Sequence, residues 1–196
     1  FRGWTLGGNL PLISLTVEGD SRLGVGNAVL YGEWAYNAGS QVSFAFGNQI
    51  ELPWGSGDGM SDDHWVLLPY MSAHITLGHL FLMSHGGFAQ SVGGHEHASG
   101  ESGADHRVFV NPHESQEFVG RMALGIPLLD SRLQLTASLN GQHALEGDSS
   151  SNLIQSGAGL LFRFTDSIAV QGQAEFPITE ERRFENRVMV GAHVDL

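Results

Sequence analysis

The chain has no cysteine, so neither a disulfide framework nor a thiolate metal centre holds it together. That absence does not choose a compartment, because cytosolic and outer-membrane proteins alike manage without cystine. Charge is scarce as well: Asp, Glu, Lys and Arg make up 15% of the residues, against roughly 25% in an ordinary soluble domain. The nine Lys plus Arg are spread through a chain of formal net charge −12, which excludes the clustered basic surface that nucleic-acid phosphates require. No apolar run approaches the ~20 residues of a spanning helix, so any membrane crossing has to be made by strands. Nor does a charged segment followed by an apolar one open the chain at Phe1, which reads as a mature or truncated start. With 196 residues and no linker-like stretch, a single domain is expected.

What the chain does have is a two-residue hydrophobic period that recurs from segment to segment. At the C-terminus Val188, Val190, Ala192, Val194 and Leu196 fall on one face, and Arg187, His193 and Asp195 on the other, as alternate side chains of a strand must. Ile168, Val170, Ala174 and Phe176 oppose Gln171, Gln173 and Glu175 in the same way. Leu133, Leu135, Ala137 and Leu139 oppose Arg132, Gln134, Thr136, Ser138, Asn140 and Gln142. Phe118, Met122, Leu124 and Ile126 stand against Arg121, and Val42, Phe44, Phe46, Ile50 and Leu52 against Gln41, Ser43, Gln49 and Glu51. The second face is made of Gln, Ser, Thr, Asn and Gly. It is too polar for a dry core, and too poor in Lys and Glu for the watered face of a soluble sandwich.

Strand segments are expected near 4–17, 22–36, 40–53, 64–76, 78–91, 117–128, 131–145, 151–164, 167–177 and 186–196. Several run to ten residues or more, the length a tilted strand needs to cross a bilayer. The expected fold is therefore an all-β, transmembrane, antiparallel up-and-down β-barrel of about 10–12 strands occupying residues 1–196, with outer-membrane lipid around it. Short connections at Glu18-Gly19-Asp20-Ser21, Asn37-Ala38-Gly39, Leu129-Asp130-Ser131 and Thr165-Asp166-Ser167 alternate with longer ones at 54–63, 92–116 and 146–151. Such an alternation puts short turns on one side of the membrane and long loops on the other. Pro53, Pro127 and Pro177 stand at strand ends, where a ladder donor is least missed, while Pro11 and Pro69 fall inside expected strands. Trp4, Trp34, Tyr36, Trp54 and Trp65 lie near strand ends, where amphipathic rings suit the headgroup boundary.

Two stretches carry a family resemblance. Gly24-Val25-Gly26-Asn27, then Phe46-Gly47-Asn48-Gln49-Ile50-Glu51-Leu52-Pro53-Trp54-Gly55, then a strand pair across Gly78 look like the outer-membrane barrels associated with meta-pathway phenol degradation, as do Gln173-Ala174-Glu175-Phe176-Pro177-Ile178 and the last strand. Together they cover about half of the chain. The resemblance implies a barrel of about twelve strands proposed to pass small hydrophobic or aromatic compounds. The segment count falls two short of that, so either a first hairpin is absent or strands have been merged. The last strand also departs from the aromatic ending common among outer-membrane proteins, offering Leu196, Val194 and Ala192.

Three sets of residues are candidates for function. The polar face would place Glu33, Gln49, Glu51, His74, Arg121, Arg132, Gln134, Arg163, Gln171 and Glu175 in a common lumen, with Tyr31 and Arg187, where they could select a solute or pair with one another. The loop at 92–116 carries His95, His97, His106 and His113 among Glu96, Glu101, Asp105 and Glu114, donors suited to Zn²⁺ or Cu²⁺ at a spacing that is not diagnostic. An enzyme is not expected. There is no G-x-S-x-G elbow, Ser84 and His85 must point to opposite faces, and what remains is a Ser and a His two apart on one face, as with Ser72 and His74. The leading reading is a porin-like channel for a small solute. The alternative is a structural barrel that anchors other outer-membrane or periplasmic proteins through its long loop.

Overall fold

The computed structural model describes residues 2–17, 19–55, 64–93, 116–145, 152–179 and 184–195. Its regular elements are all strands: β1 Arg2–Val17, β2 Asp20–Val25, β3 Ala28–Asn37, β4 Val42–Leu52, β5 Trp65–Leu77, β6 Leu80–Val92, β7 Gln116–Leu128, β8 Leu133–Ala144, β9 Asn152–Arg163, β10 Ile168–Pro177 and β11 Asn186–Asp195. Each pairs antiparallel with the next in sequence, apart from the β1–β2–β3 region, and β11 returns to β1 along Gly7–Thr16 and Asn186–Asp195. The sheet is thus a closed cylinder, which removes the edges that an open sheet would expose.

β2 and β3 are two halves of one stave. β1 pairs with β2 so that Leu12 meets Val25, and with β3 so that Asn9 meets Val29. Two residues of β1 therefore oppose three of its partner, a β-bulge at Gly26 and Asn27. The bulge faces Pro11, whose missing N–H it accommodates, and the Gly26 N–H donates to the Pro11 carbonyl at 2.8 Å. With the halves joined the barrel has ten staves, the number read from the hydrophobic period and not the twelve implied by the resemblance. Pro69 leaves a comparable mark: the β5–β6 ladder is continuous from Trp65 to Leu67 and from Tyr70 onward, and skips the pairs at 68 and 69.

Register fixes which side chains face where. The outward row includes Leu12, Leu30, Phe46, Met71, Met122, Leu124, Leu139, Leu160, Val188 and Val190, all left exposed by the protein itself. Leu139 is 53% exposed and Met122 57%. An apolar belt of this kind running round the whole molecule has no counterpart on a water-soluble monomer, whose largest apolar patch is about 300–600 Å². It is the surface of a protein solvated by lipid. Aromatic residues bracket the belt. Trp4 and Trp34 are cross-strand partners near one end, with Trp34 stacked on Tyr36 and Phe46, while Trp54 and Trp65 stand exposed at the other.

The connections sort by length. Turns at 38–41, 78–79, 129–132 and 164–167 share one end of the barrel, which is also the end at which β1 begins and β11 finishes. The long connections at 53–64, 93–115, 145–151 and 178–185 share the other. The tight β1–β2 hairpin at 18–19 belongs to the long-loop end, so grouping it with the short turns of the opposite side was wrong; a single crossing of the wall, by β2 and β3 together, separates it from the short turn at 38–41. Outer-membrane barrels carry short turns on the periplasmic side and long loops outside, which orients the chain.

Candidate functional site: a lined lumen

Inward positions follow directly from the ladders. Glu33, Gln49, Glu51, His74, Arg121, Gln134, Arg163, Gln171 and Glu175 all stand on the face shared with Asn9, Ile13 and Met189, as does Tyr31. Arg132 does not join them: it is exposed in the 129–132 turn, because β8 begins only at Leu133. His95, His97, His106 and His113 lie outside the described residues. Among the described residues no group of three or more His, Cys, Asp or Glu gathers at metal-binding range.

Several inward aromatic residues lie against the wall instead of crossing the axis, because each faces a glycine on the neighbouring strand. Tyr31 is paired with Gly7, Tyr70 with Gly47 and Phe81 with Gly125. A Cβ added at Gly47 would sit 2.5 Å from the Tyr70 Cζ, and one at Gly125 2.2 Å from the Phe81 ring. The rings occupy the space that side chains at those glycines would take, the arrangement that lets a sheet curve tightly while keeping its inner face covered.

Polar side chains then link staves across the interior. On one side Tyr70 donates to Glu33 Oε2 at 3.0 Å and packs over His85, with ring centroids 4.7 Å apart. Gln49 donates to Glu51 at 3.1 Å. On the other side the Arg187 guanidinium pairs with Glu175 Oε2, and Glu175 Oε1 accepts from Asn140 at 2.7 Å and from Gln173. Arg121 on β7 donates to Gln173 on β10 at 3.1 Å, bridging across the two intervening staves β8 and β9. Phe184 comes down from the β10–β11 connection into the mouth, where it is buried against Ile13 and Leu15 with Arg187 over its ring at 4.9 Å. Near the short-turn end the Tyr31 hydroxyl meets His193 Nε2 at 2.7 Å and donates to Asp195 at 2.5 Å.

Between these networks lies a cavity of about 290 Å³. Nine of the ten staves contribute to its lining, β9 excepted, so it sits on the barrel axis. Val66, Leu68, Ala89 and Val119 form an apolar wall on β5 to β7, Gln142, Gln171, Gln173 and Arg187 bring polar groups from β8, β10 and β11, and the rest of the lining mixes Pro11, Ile13, Val29 and Met189 with Asn9, Asn27 and Glu51. The chamber is therefore mixed, with one continuous apolar wall, and its size is at the small end of the roughly 300–1,000 Å³ typical of ligand pockets.

Residues that the sequence did not single out include Tyr70, Asn140 and Phe184. Parity places the first two inward, and Asn140 already stood on the polar face of its segment without being named among the lumen candidates. Nothing local marks Phe184, whose burial depends on where a loop returns. Ser72 and His74 do share the inward face as their spacing requires, and Ser84 faces outward while His85 faces inward.

No family model matches the sequence, and no curated protein matches it. Solved structures do. The COG4313 outer membrane channel from Pseudomonas putida F1 superposes with a TM-score of 0.64 at 10% identity, over 99% of this chain and 96% of that one. The chain has the fold of an outer-membrane β-barrel. The NanC porin is similar as well, with a TM-score of 0.54 at 9% identity, over 99% of this chain and 100% of its own. Identities this low carry the architecture, and the outer-membrane setting follows from that architecture together with the lipid-facing belt.

Proposed function

We propose that this barrel is a porin-like channel through which a small solute with an apolar body moves passively, a relative of the barrels linked to meta-pathway phenol degradation. The observation that carries the reading is the axial cavity with its unequal walls. A lumen built only to pass water and ions has no use for Val66, Leu68, Ala89 and Val119 on its inner surface, where burial of apolar solute area contributes roughly 25 cal/mol per Å². The facing amides of Gln142 and Gln171 can take up hydroxyl or carbonyl groups at the solute's other edge. Its mechanism is diffusion past an affinity site, weak enough to release. The likeness to a channel and a porin supports passage in general, and the chamber supports the choice of solute.

The test is solute entry into proteoliposomes. Phenol-sized aromatic solutes should enter faster, relative to empty vesicles, than a sugar of similar mass, and Val66→Trp, which fills the chamber, should remove most of that difference. Equal entry of both solutes, or wild-type vesicles no more permeable than empty ones, contradicts the proposal.

A further inference from the structure

Arg187 and Arg121 belong to one interior network and are held differently. Arg187 grips Glu175 Oε2 with Nε and Nη2, the edge of a guanidinium that forms a fork for carboxylates. Arg121 has a neutral hydrogen-bond partner, and among the described residues no other: its Nη1 donates to the Gln173 amide oxygen at 3.1 Å. The Arg121 Nε is buried with no acceptor, so the edge that is filled in Arg187 is unfilled in Arg121. Glu175, the opposite charge that acts on Arg121, is already bound by Arg187, and the Gln173 amide stands between the two. A guanidinium keeps its proton in any setting, so this cation, drawn out of water onto a single amide, is short of a counter-charge.

Its place in the barrel gives that shortage a use. Val119, part of the chamber's apolar wall, is the inward position of β7 that precedes Arg121, and Gln173, the partner of Arg121, belongs to the chamber lining. Arg121 thus stands at the short-turn side of the apolar wall. Successive inward side chains of one strand are about 7 Å apart, so a six-membered ring lying against Val119 carries a substituent to Arg121. The carboxylate in the chamber lining, Glu51, is on β4, three staves away from β7. A solute with an apolar body and an anionic end therefore meets its complement at both ends in one orientation, with the anion toward the short turns.

We propose that Arg121 is a carboxylate subsite of the chamber, and that the solutes this barrel favours are aromatic carboxylates, of which benzoate is the simplest. The inference rests on reading the chamber as a solute site and names the solute's class. The ring lies on Val66, Leu68, Ala89 and Val119. The guanidinium, held by the single bond to Gln173, turns its Nε and Nη2 edge to the carboxylate, so a neutral hydrogen bond gives way to a bidentate ionic pair. Away from bulk water that pair is screened little, which favours the anion over a neutral group of the same shape. Gln173 returns to Nη1 as the solute leaves.

The experiment is calorimetric titration of the chain, folded in detergent, with benzoate and with benzamide, its neutral counterpart of the same shape, at a neutral pH that keeps benzoate ionised. The wild type should bind benzoate at least about 10 times more tightly than benzamide. Arg121→Gln should bring that ratio to about 2 or less, and Arg121→Lys, which keeps the charge and loses the fork, should leave an intermediate ratio. Heat-modifiable migration on a detergent gel verifies that each variant has folded. Equal affinity of the wild type for the two probes overturns the proposal, as does a preference for benzoate that Arg121→Gln leaves unmoved. Binding of neither probe overturns the proposal together with the chamber's role as a solute site. Benzoate binding by a barrel whose proteoliposomes admit no solute contradicts the channel reading alone and upholds the subsite.

Discussion

Replacing Leu139 by Arg separates a lipid-facing surface from a watered one more sharply than any other single change. Leu139 lies midway along β8, points outward beside Met122 and Ser156, and is 53% exposed with respect to protein. If water covered it, the long Arg side chain would find solvent at once and stability would shift by no more than about 0.5 kcal/mol. In the middle of a bilayer the same Arg costs about 2–4 kcal/mol, a factor of roughly 30 to 900 in the folded-to-unfolded ratio. Reversible folding into phosphatidylcholine vesicles, followed in urea through the fluorescence of the four tryptophans, measures the difference. Gln171→Arg, which places the same charge at an exposed inward position, is the control and should cost less than about 1 kcal/mol. A Leu139→Arg shift no larger than that of the control would refute the assignment of the outward row to lipid.

Other expectations follow from the interior and the turns. Gly47→Ala should destabilise by about 1–3 kcal/mol, because its Cβ collides with the Tyr70 ring and the Gly32 carbonyl, whereas Gly141→Ala, with open space above it, should be neutral within about 0.5 kcal/mol in the same assay. Arg187→Ala leaves the buried Glu175 carboxylate without its cation and should cost about 3–5 kcal/mol, most of it recovered by the double variant with Glu175→Gln. Leu129, Asp130 and Ser131 hold φ of 51°, 55° and 68°, so Asp130→Gly should raise folding stability by about 1 kcal/mol.

The fold was legible because a membrane barrel writes one simple rule along the chain. Each crossing alternates apolar and polar residues over ten positions or so; β7, β10 and β11 kept their limits to within a residue, and β4 and β8 kept their parity while starting two residues later than expected. The rule fails where something other than solvent sets the geometry. A bulge at Gly26 and Asn27 splits one stave into β2 and β3, and the cue for it, Pro11, lies on the neighbouring strand rather than in the stave itself. Arg132 satisfies the parity of β8 yet falls in a turn, since alternation does not mark where a ladder stops. The side of the 18–19 hairpin follows from counting crossings, and its short length pointed the other way.

The site was legible as a set of inward residues and not as an arrangement. Parity puts Arg121, Gln173, Glu175 and Arg187 on one face, but their linkage from β7 to β11 depends on how far neighbouring staves are shifted along one another. That shift is recorded in the ladders and in no single strand. The apolar wall of the chamber was overlooked for a related reason: Val66, Leu68, Ala89 and Val119 are scattered over three strands, and read singly each looks like another lipid-facing residue.

The lipid-outside, lumen-inside division can be read one residue at a time, since a chain with no cysteine accepts single cysteines without ambiguity. Spin labels placed in turn at positions 133 to 142 of β8, in reconstituted vesicles, report collision with oxygen, which dissolves in lipid, and with a polar nickel chelate, which does not. The account predicts oxygen maxima at 133, 135, 137 and 139 and relatively greater chelate accessibility at 134, 136, 140 and 142, a strict period of two. An oxygen profile with no such period, or chelate maxima at Leu135 and Leu139, would contradict it.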